Sequence, residues 1–153
     1  MSAPPLAGGS AAAGDPARTA GPRRTLAVTP VAADADSAYA LFELSAPAGA
    51  ALPPHLCARH DATLTVLSGE VEVVLADERR LLGAGSQLRL QRGRPRRIAV
   101  VADARLLCLS VPAGLQQLAE ALAEPAADRD DLAALLTDHG VSVLPVGWGA
   151  QVR

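Results

Sequence analysis

Two short stretches of this 153-residue chain hold the side chains that could do chemistry. The first runs His55-Leu56-Cys57-Ala58-Arg59-His60-Asp61. On an extended strand, residues two apart share a face, so His55 and Cys57 would point the same way. A paired imidazole and thiolate can hold a soft transition metal such as zinc or copper, but two ligands leave the coordination sphere incomplete. His60 and Asp61 could supply the missing donors if the loop from Ala58 to Ala62 is rearranged. Without a metal, His55 could work as a general base or acid. The second stretch is the basic run Arg89, Arg92, Arg94, Arg96 and Arg97, in which alternation puts Arg96 and Arg97 on opposite faces. Plainer readings stand beside these. A lone His or Cys in a half-buried strand is more often a core group than a catalyst. All 14 basic side chains are Arg, so an Arg run is most simply a solvated surface.

The elements that must position these residues are short and β-like. From Thr25 onward, Leu26 to Val28, Ala38 to Ser45, Thr63 to Leu67, Glu70 to Leu75, Ser86 to Leu90, Arg97 to Val101 and Arg105 to Val111 read as strands separated by Pro, Gly and Asp. Val71, Val73 and Leu75 interleave with Glu70, Glu72 and Val74, and Leu88 and Leu90 with Gln87 and Arg89, as expected of one core face and one wet face. Ser68-Gly69 and Gly83-Ala84-Gly85 read as turns. After Pro112 the period becomes helical: Leu115, Leu118, Ala119 and Leu122 share one face, and Leu132, Leu135 and Leu136 mark a second helix that opens at Asp128 to Asp131 and stops at Gly140. His139 at that helix end reads as a dipole contact, and Val141 to Leu144 as a last short strand.

Three parts follow: residues 1–23, too poor in hydrophobic pattern to repay ordering, as a disordered tail; 24–111 as a β-sandwich or barrel of many short strands; and 112–153 as C-terminal helices and tail packed on it. A net charge of −2 gives no field for nucleic acid or an anionic membrane, and the basic run lacks interleaved aromatics. No stretch reaches the length of a membrane span, and the start lacks the pattern of a secretory signal. Cys57 and Cys108 match no zinc-finger or Cys-x-x-Cys spacing and read as reduced thiols of a cytoplasmic protein. A small molecule is the expected partner.

The segments from Gly49 to Gly69 and from Gly85 to Val100 resemble the two motifs of the cupin superfamily. In the first, Gly49, His55 and Gly69 fit, while the second His falls on Cys57 and the Glu on Ala62. In the second, Gly85 and Gly93 fit, while the Pro falls on Gln91, the His on Arg96 and the Asn on Val100. Pro53-Pro54 before His55 and the helical tail are similar to those of small bacterial single-domain cupins like the quercetin dioxygenases.

The resemblance implies a mainly β fold, a single cupin-type, jelly-roll-like barrel with a short C-terminal helical segment, and a homodimer. It also implies a degenerate metal site, since one of four ligands survives and Arg96 would put a permanent cation where an imidazole lone pair belongs. The expected function is then a metal-independent enzyme of specialised metabolism, performing cyclisation, isomerisation or dehydration without a cofactor. His55, Arg96 and Cys57 would be its catalytic residues. Arg96 would offer its fork to a carboxylate, enolate or phenolate, and Cys57 would be a nucleophile if flanked by Arg96 and His55. Arg96, Gln91, Leu44, Val66, Val73, Leu90 and Ile98 would bind substrate. Two alternatives stay open: a dioxygenase-like cupin holding a divalent transition metal through His55, Cys57 and His60, and a non-catalytic ligand-binding or interaction module.

Overall fold

A computed structural model describes residues 26–76, 78–124, 129–145 and 147–148. The expected tail 1–23 and the acidic stretch at Asp128 lie wholly or partly outside them. Eight strands and two helices follow in order: β1 (Ala27–Ala33), β2 (Ala40–Ala46), β3 (Ala51–Cys57), β4 (Asp61–Leu75), β5 (Arg79–Gly83), β6 (Gln87–Leu90), β7 (Arg96–Val111), α1 (Leu115–Leu122), α2 (Arg129–Asp138) and β8 (Val141–Val143). The fold is mainly β and every strand pairing is antiparallel. Among the described residues the ladder wraps without closing into a ring, a jelly-roll-like form of barrel.

Two long strands organise it. β4 and β7 pair along their whole length, from Asp61↔Val111 to Leu75↔Arg96. On its other edge β7 takes β2 beside its second half and β3 beside its first, with β1 outside β2 and β8 outside β3. β5 and β6 pair with the two halves of β4. Inward residues alternate with outward ones, so Val71 and Val73 are fully buried while Glu70 and Glu72 are half-buried. Val74, on the outer face, is also buried. Burying a side chain of this size stabilises the fold by about 1.5–3 kcal/mol.

Ser68-Gly69 differs from its expected role. It is not a turn between two strands but a bend within β4, where the register with β7 slips between Val66 and Val71. Gly69 has φ 87°, and a Cβ there would run into the carbonyl of Asp103 and the Cα of Ala104. One strand can thus serve both halves of the barrel, because a bulge absorbs the extra residue and bends the sheet. For the same reason the runs 97–101 and 105–111 join into the single strand β7. β3 and β5 were not among the expected runs: Pro53-Pro54 masks the first, and the charged pair Arg79-Arg80 the second.

The helices form as the apolar spacing requires. Leu118 and Leu136 are buried, and together with Cys57 and Val141 they form a second small core beside the barrel core. α1 starts after Gly114, with Ser110 Oγ accepting a 3.5 Å hydrogen bond from the Leu115 N–H. α2 ends at Gly140, whose N–H donates to Thr137 O at 3.0 Å. His139 Nδ1 lies 3.0 Å from Leu135 O, so it is tied to a carbonyl of the last turn.

Candidate functional site

Pro53 and Pro54 give β3 no backbone donors at two successive positions, and its register with β7 shifts between Leu52 and His55. The shift brings His55 opposite Arg96 and sets both inward, 5 % and 3 % exposed. Cys57, two residues on, is buried on the same face. β8 seals the outer edge, pairing Val143 with His55 and Val141 with Cys57. The loop between β6 and β7 folds over the end of the strand, with Gly93 N–H donating to Cys57 O at 2.8 Å.

His55 Nδ1 lies 2.8 Å from Pro53 O. A carbonyl accepts only, so Nδ1 carries the proton and Nε2 keeps the lone pair. Burial holds the His55 pKa below its ordinary value; the Pro53 bond opposes this and the Arg96 charge adds to it. His55 is therefore a neutral imidazole able to take a proton at Nε2. The Arg96 Nε donates to Arg94 O at 3.3 Å and its Nη2 to Gln91 O at 2.6 Å. Burial lowers the Arg96 pKa, with Cys57 and Asp61 opposing.

The other sequence-predicted residues take different places. His60 Nδ1 contacts Cys57 Sγ at 3.7 Å, and its imidazole packs against Gly114. Burial depresses the His60 pKa, countered by a bond to the Ala113 backbone. Asp61 takes its hydrogen bonds from Arg92, which donates to it from its backbone N–H at 2.8 Å and from Nη2 at 3.1 Å. Those two bonds keep its carboxyl below the usual range. Arg89, Arg92 and Arg94 are exposed. Cys108 lies inward on β7, and burial pushes its thiol up to about 12, far from a nucleophile at neutral pH.

An apolar pocket of about 440 Å³ lies between the inner face of β2, β3 and β7 and the two helices. Phe42, Leu44, Leu52, Ile98 and Leu106 form its strand side, and Leu115, Leu118, Leu122 and Leu132 its helix side. Of the expected substrate-binding residues, Leu44 and Ile98 line it. Val66, Val73 and Leu90 pack in the barrel core instead, and Gln91 is exposed, contributing its carbonyl to Arg96. His55, Cys57 and Arg96 do not line the pocket; Arg96 begins the strand two residues before Ile98. Sequence reasoning missed the helix side of the pocket. The Leu115/Leu118/Leu122 stripe announced a buried face, but an apolar stripe against a pocket reads the same as one against a packed core.

Residues 42–112, a little under half of the chain, match the cupin domain family. Solved structures agree on the fold. KdgF from Halomonas sp. is 24% identical with a TM-score of 0.53, over 57% of this chain and 79% of that one. The Cnp3 cupin domain of Schizosaccharomyces pombe is 17% identical with a TM-score of 0.51, over 69% and 77%. A cupin superfamily protein from Desulfitobacterium hafniense DCB-2 is 14% identical with a TM-score of 0.52, over 60% and 81%. Comparison with curated proteins gives no match. The likeness is to the superfamily and selects no single activity within it. All four motif glycines, Gly49, Gly69, Gly85 and Gly93, have positive φ, the backbone region in which glycine is least strained.

The superfamily's usual metal can be tested against the donors present. Ala62 offers none, Arg96 brings a cation, and among the described residues no three His, Cys, Asp or Glu form a group that could hold a metal ion. Cys57 and His60 touch, but His55 does not complete a set with them. The donor set does not fit a cupin-type metal.

Proposed function

We propose that this cupin works without a metal and binds an apolar small molecule in the pocket between its barrel and its C-terminal helices. The observation that carries this reading is the pocket itself: about 440 Å³ of space walled almost entirely by aliphatic side chains and Phe42. Preformed apolar concavities of this size are the usual seats of small ligands. The residues at the superfamily's metal positions support metal independence, since only His55 and Cys57 remain as donors and Arg96 would repel a divalent cation.

A catalytic version of this reading is favoured by the His55–Arg96 pairing. A neutral His55 with its lone pair on Nε2 could accept a proton, and a buried guanidinium could stabilise an oxyanion by roughly 3–4 kcal/mol, which suits isomerisation, cyclisation or dehydration. Binding without chemistry is the better supported, because neither group lines the pocket. The two buried, unpaired cysteines support a reducing compartment, and no described helix is long and apolar enough to cross a membrane. β1, which among the described residues pairs only with β2, supports a homodimer formed through its outer edge.

The test is a fluorescence titration of the full chain with N-phenyl-1-naphthylamine, a neutral apolar probe. Saturable binding at one site per chain, competed by other apolar molecules, is expected. A linear, unsaturable signal would overturn the binding reading.

A further inference from the structure

The wall of the apolar pocket carries no ionisable side chain other than a thiol. Apart from Phe42 and Cys108 it is aliphatic, and among the described residues that line it none is charged and none has a hydroxyl or amide side chain. The Cys108 thiol, pushed up to about 12 by burial, stays protonated at neutral pH. Main-chain groups offer no substitute on the strand side. Phe42 pairs with Cys108 and Leu44 with Leu106 in the β2–β7 ladder, Leu52 pairs with Ile98 between β3 and β7, and Val100 donates its N–H to Ala50 O at 2.8 Å.

The buried polar side chains lie elsewhere. His55, His60 and Arg96 are not among the residues that line the pocket. The Arg96 guanidinium is turned to the loop between β6 and β7, where it donates to Arg94 O at 3.3 Å and to Gln91 O at 2.6 Å. An ion moved from water into such a pocket meets no counter-charge and no strong hydrogen-bond partner. Burial of an unpaired carboxylate or ammonium is so costly that the group gives up its charge instead, and this holds for either sign.

We infer that the ligand is an uncharged lipophile of about ten to fifteen non-hydrogen atoms, at about 30 Å³ for each, and that the pocket turns away ions of both signs. The class covers medium-chain alcohols, aldehydes and ketones and small terpenoids. This inference rests on the pocket-binding reading above and adds a rule of selection to it: an acid or an amine enters only in its neutral form.

Three ligands of equal chain length test that rule. Octan-1-ol, octanoate and octylammonium are each titrated against N-phenyl-1-naphthylamine bound to the full chain. With ordinary pKa values of about 4.3 for a carboxyl and about 10.4 for an amine, roughly one acid in 500 and one amine in 2,500 is neutral at pH 7. Octanol is expected to displace the probe, and each ion to be at least about 100-fold weaker. From about pH 6.5 to about pH 8.5, the apparent affinity of octanoate should fall about tenfold per unit while that of octylammonium rises about tenfold. Failure of the probe to bind saturably overturns the pocket reading and this inference together. With the probe bound, the inference alone is overturned by octanol that does not displace it, by a smaller gap for either ion, or by pH profiles that do not run in opposite directions.

Discussion

Replacing Ala119 by Leu distinguishes an open pocket from a packed core, because the two predict opposite signs. Ala119 sits on α1, largely buried, with its side chain on the pocket wall beside Leu115, Leu118 and Leu122. Leucine adds three carbons. At about 0.8 kcal/mol per buried methylene they contribute about 2.4 kcal/mol, and the lost rotamer freedom of leucine offsets about 0.5–1 kcal/mol of that. The net expectation is a gain of about 1.5–2 kcal/mol, read as a higher urea midpoint at unchanged slope. At about 30 Å³ per non-hydrogen atom, the three carbons also occupy roughly a fifth of the pocket. Binding of N-phenyl-1-naphthylamine should therefore weaken about tenfold. If the space were already filled, the same substitution would overpack the core and cost about 1–3 kcal/mol. A destabilised Ala119→Leu variant that binds the probe as well as the native chain would refute the reasoning.

Other perturbations test the frame around the pocket. Gly69→Ala should cost about 1–2 kcal/mol for a left-handed backbone plus about 1–3 kcal/mol for the collision with Asp103 and Ala104. Gly85→Ala, at φ 88° with open space around it, should cost only the first part, so equal urea midpoints for the two variants would contradict the bend at Gly69. Burial holds His55 and His60 neutral, with pKa values below the ordinary 6.5. The unfolded chain then binds the extra protons, so stability is fully present above about pH 6.5 and falls as the pH drops through the folded values. Urea midpoints between about pH 7.5 and about pH 5 should show this fall, and His55→Gln should reduce it; a flat profile in the native chain would show that the imidazoles are not desolvated. With its thiol pushed up to about 12, Cys108 should resist iodoacetamide in the folded chain and react only after denaturation, as mass spectrometry of labelled peptides would reveal.

Much of this architecture is legible in the sequence. Alternation placed Val71, Val73 and Leu90 inside, and the leucine spacing placed both helices, because period and burial are linked directly. The motif glycines carry the resemblance because their left-handed backbone conformations disfavour any side chain, whatever the chemistry of the site. Harder to read were features that depend on two distant segments at once. Ser68-Gly69 looks like a turn until β7 is known to run alongside without a break. The pocket between Ile98 and Leu118 arises only from how closely the helices approach the sheet, and no local pattern encodes that distance. For the site, the sequence reading brought His55 and Arg96 together through the motif, and the structure places them across a strand pair. It also expected Val66, Val73 and Leu90 near the ligand, although alternation alone cannot tell a pocket wall from a packed interior.

Metal content of the protein, purified without a metal-binding tag, tests the central claim most directly. It should be measured by mass spectrometry in the native chain and in His55→Ala, alongside probe binding before and after treatment with a chelator. The account predicts metal far below one equivalent in both proteins and binding that the chelator leaves unchanged. Near-stoichiometric metal that disappears with His55, together with binding abolished by the chelator, would contradict it.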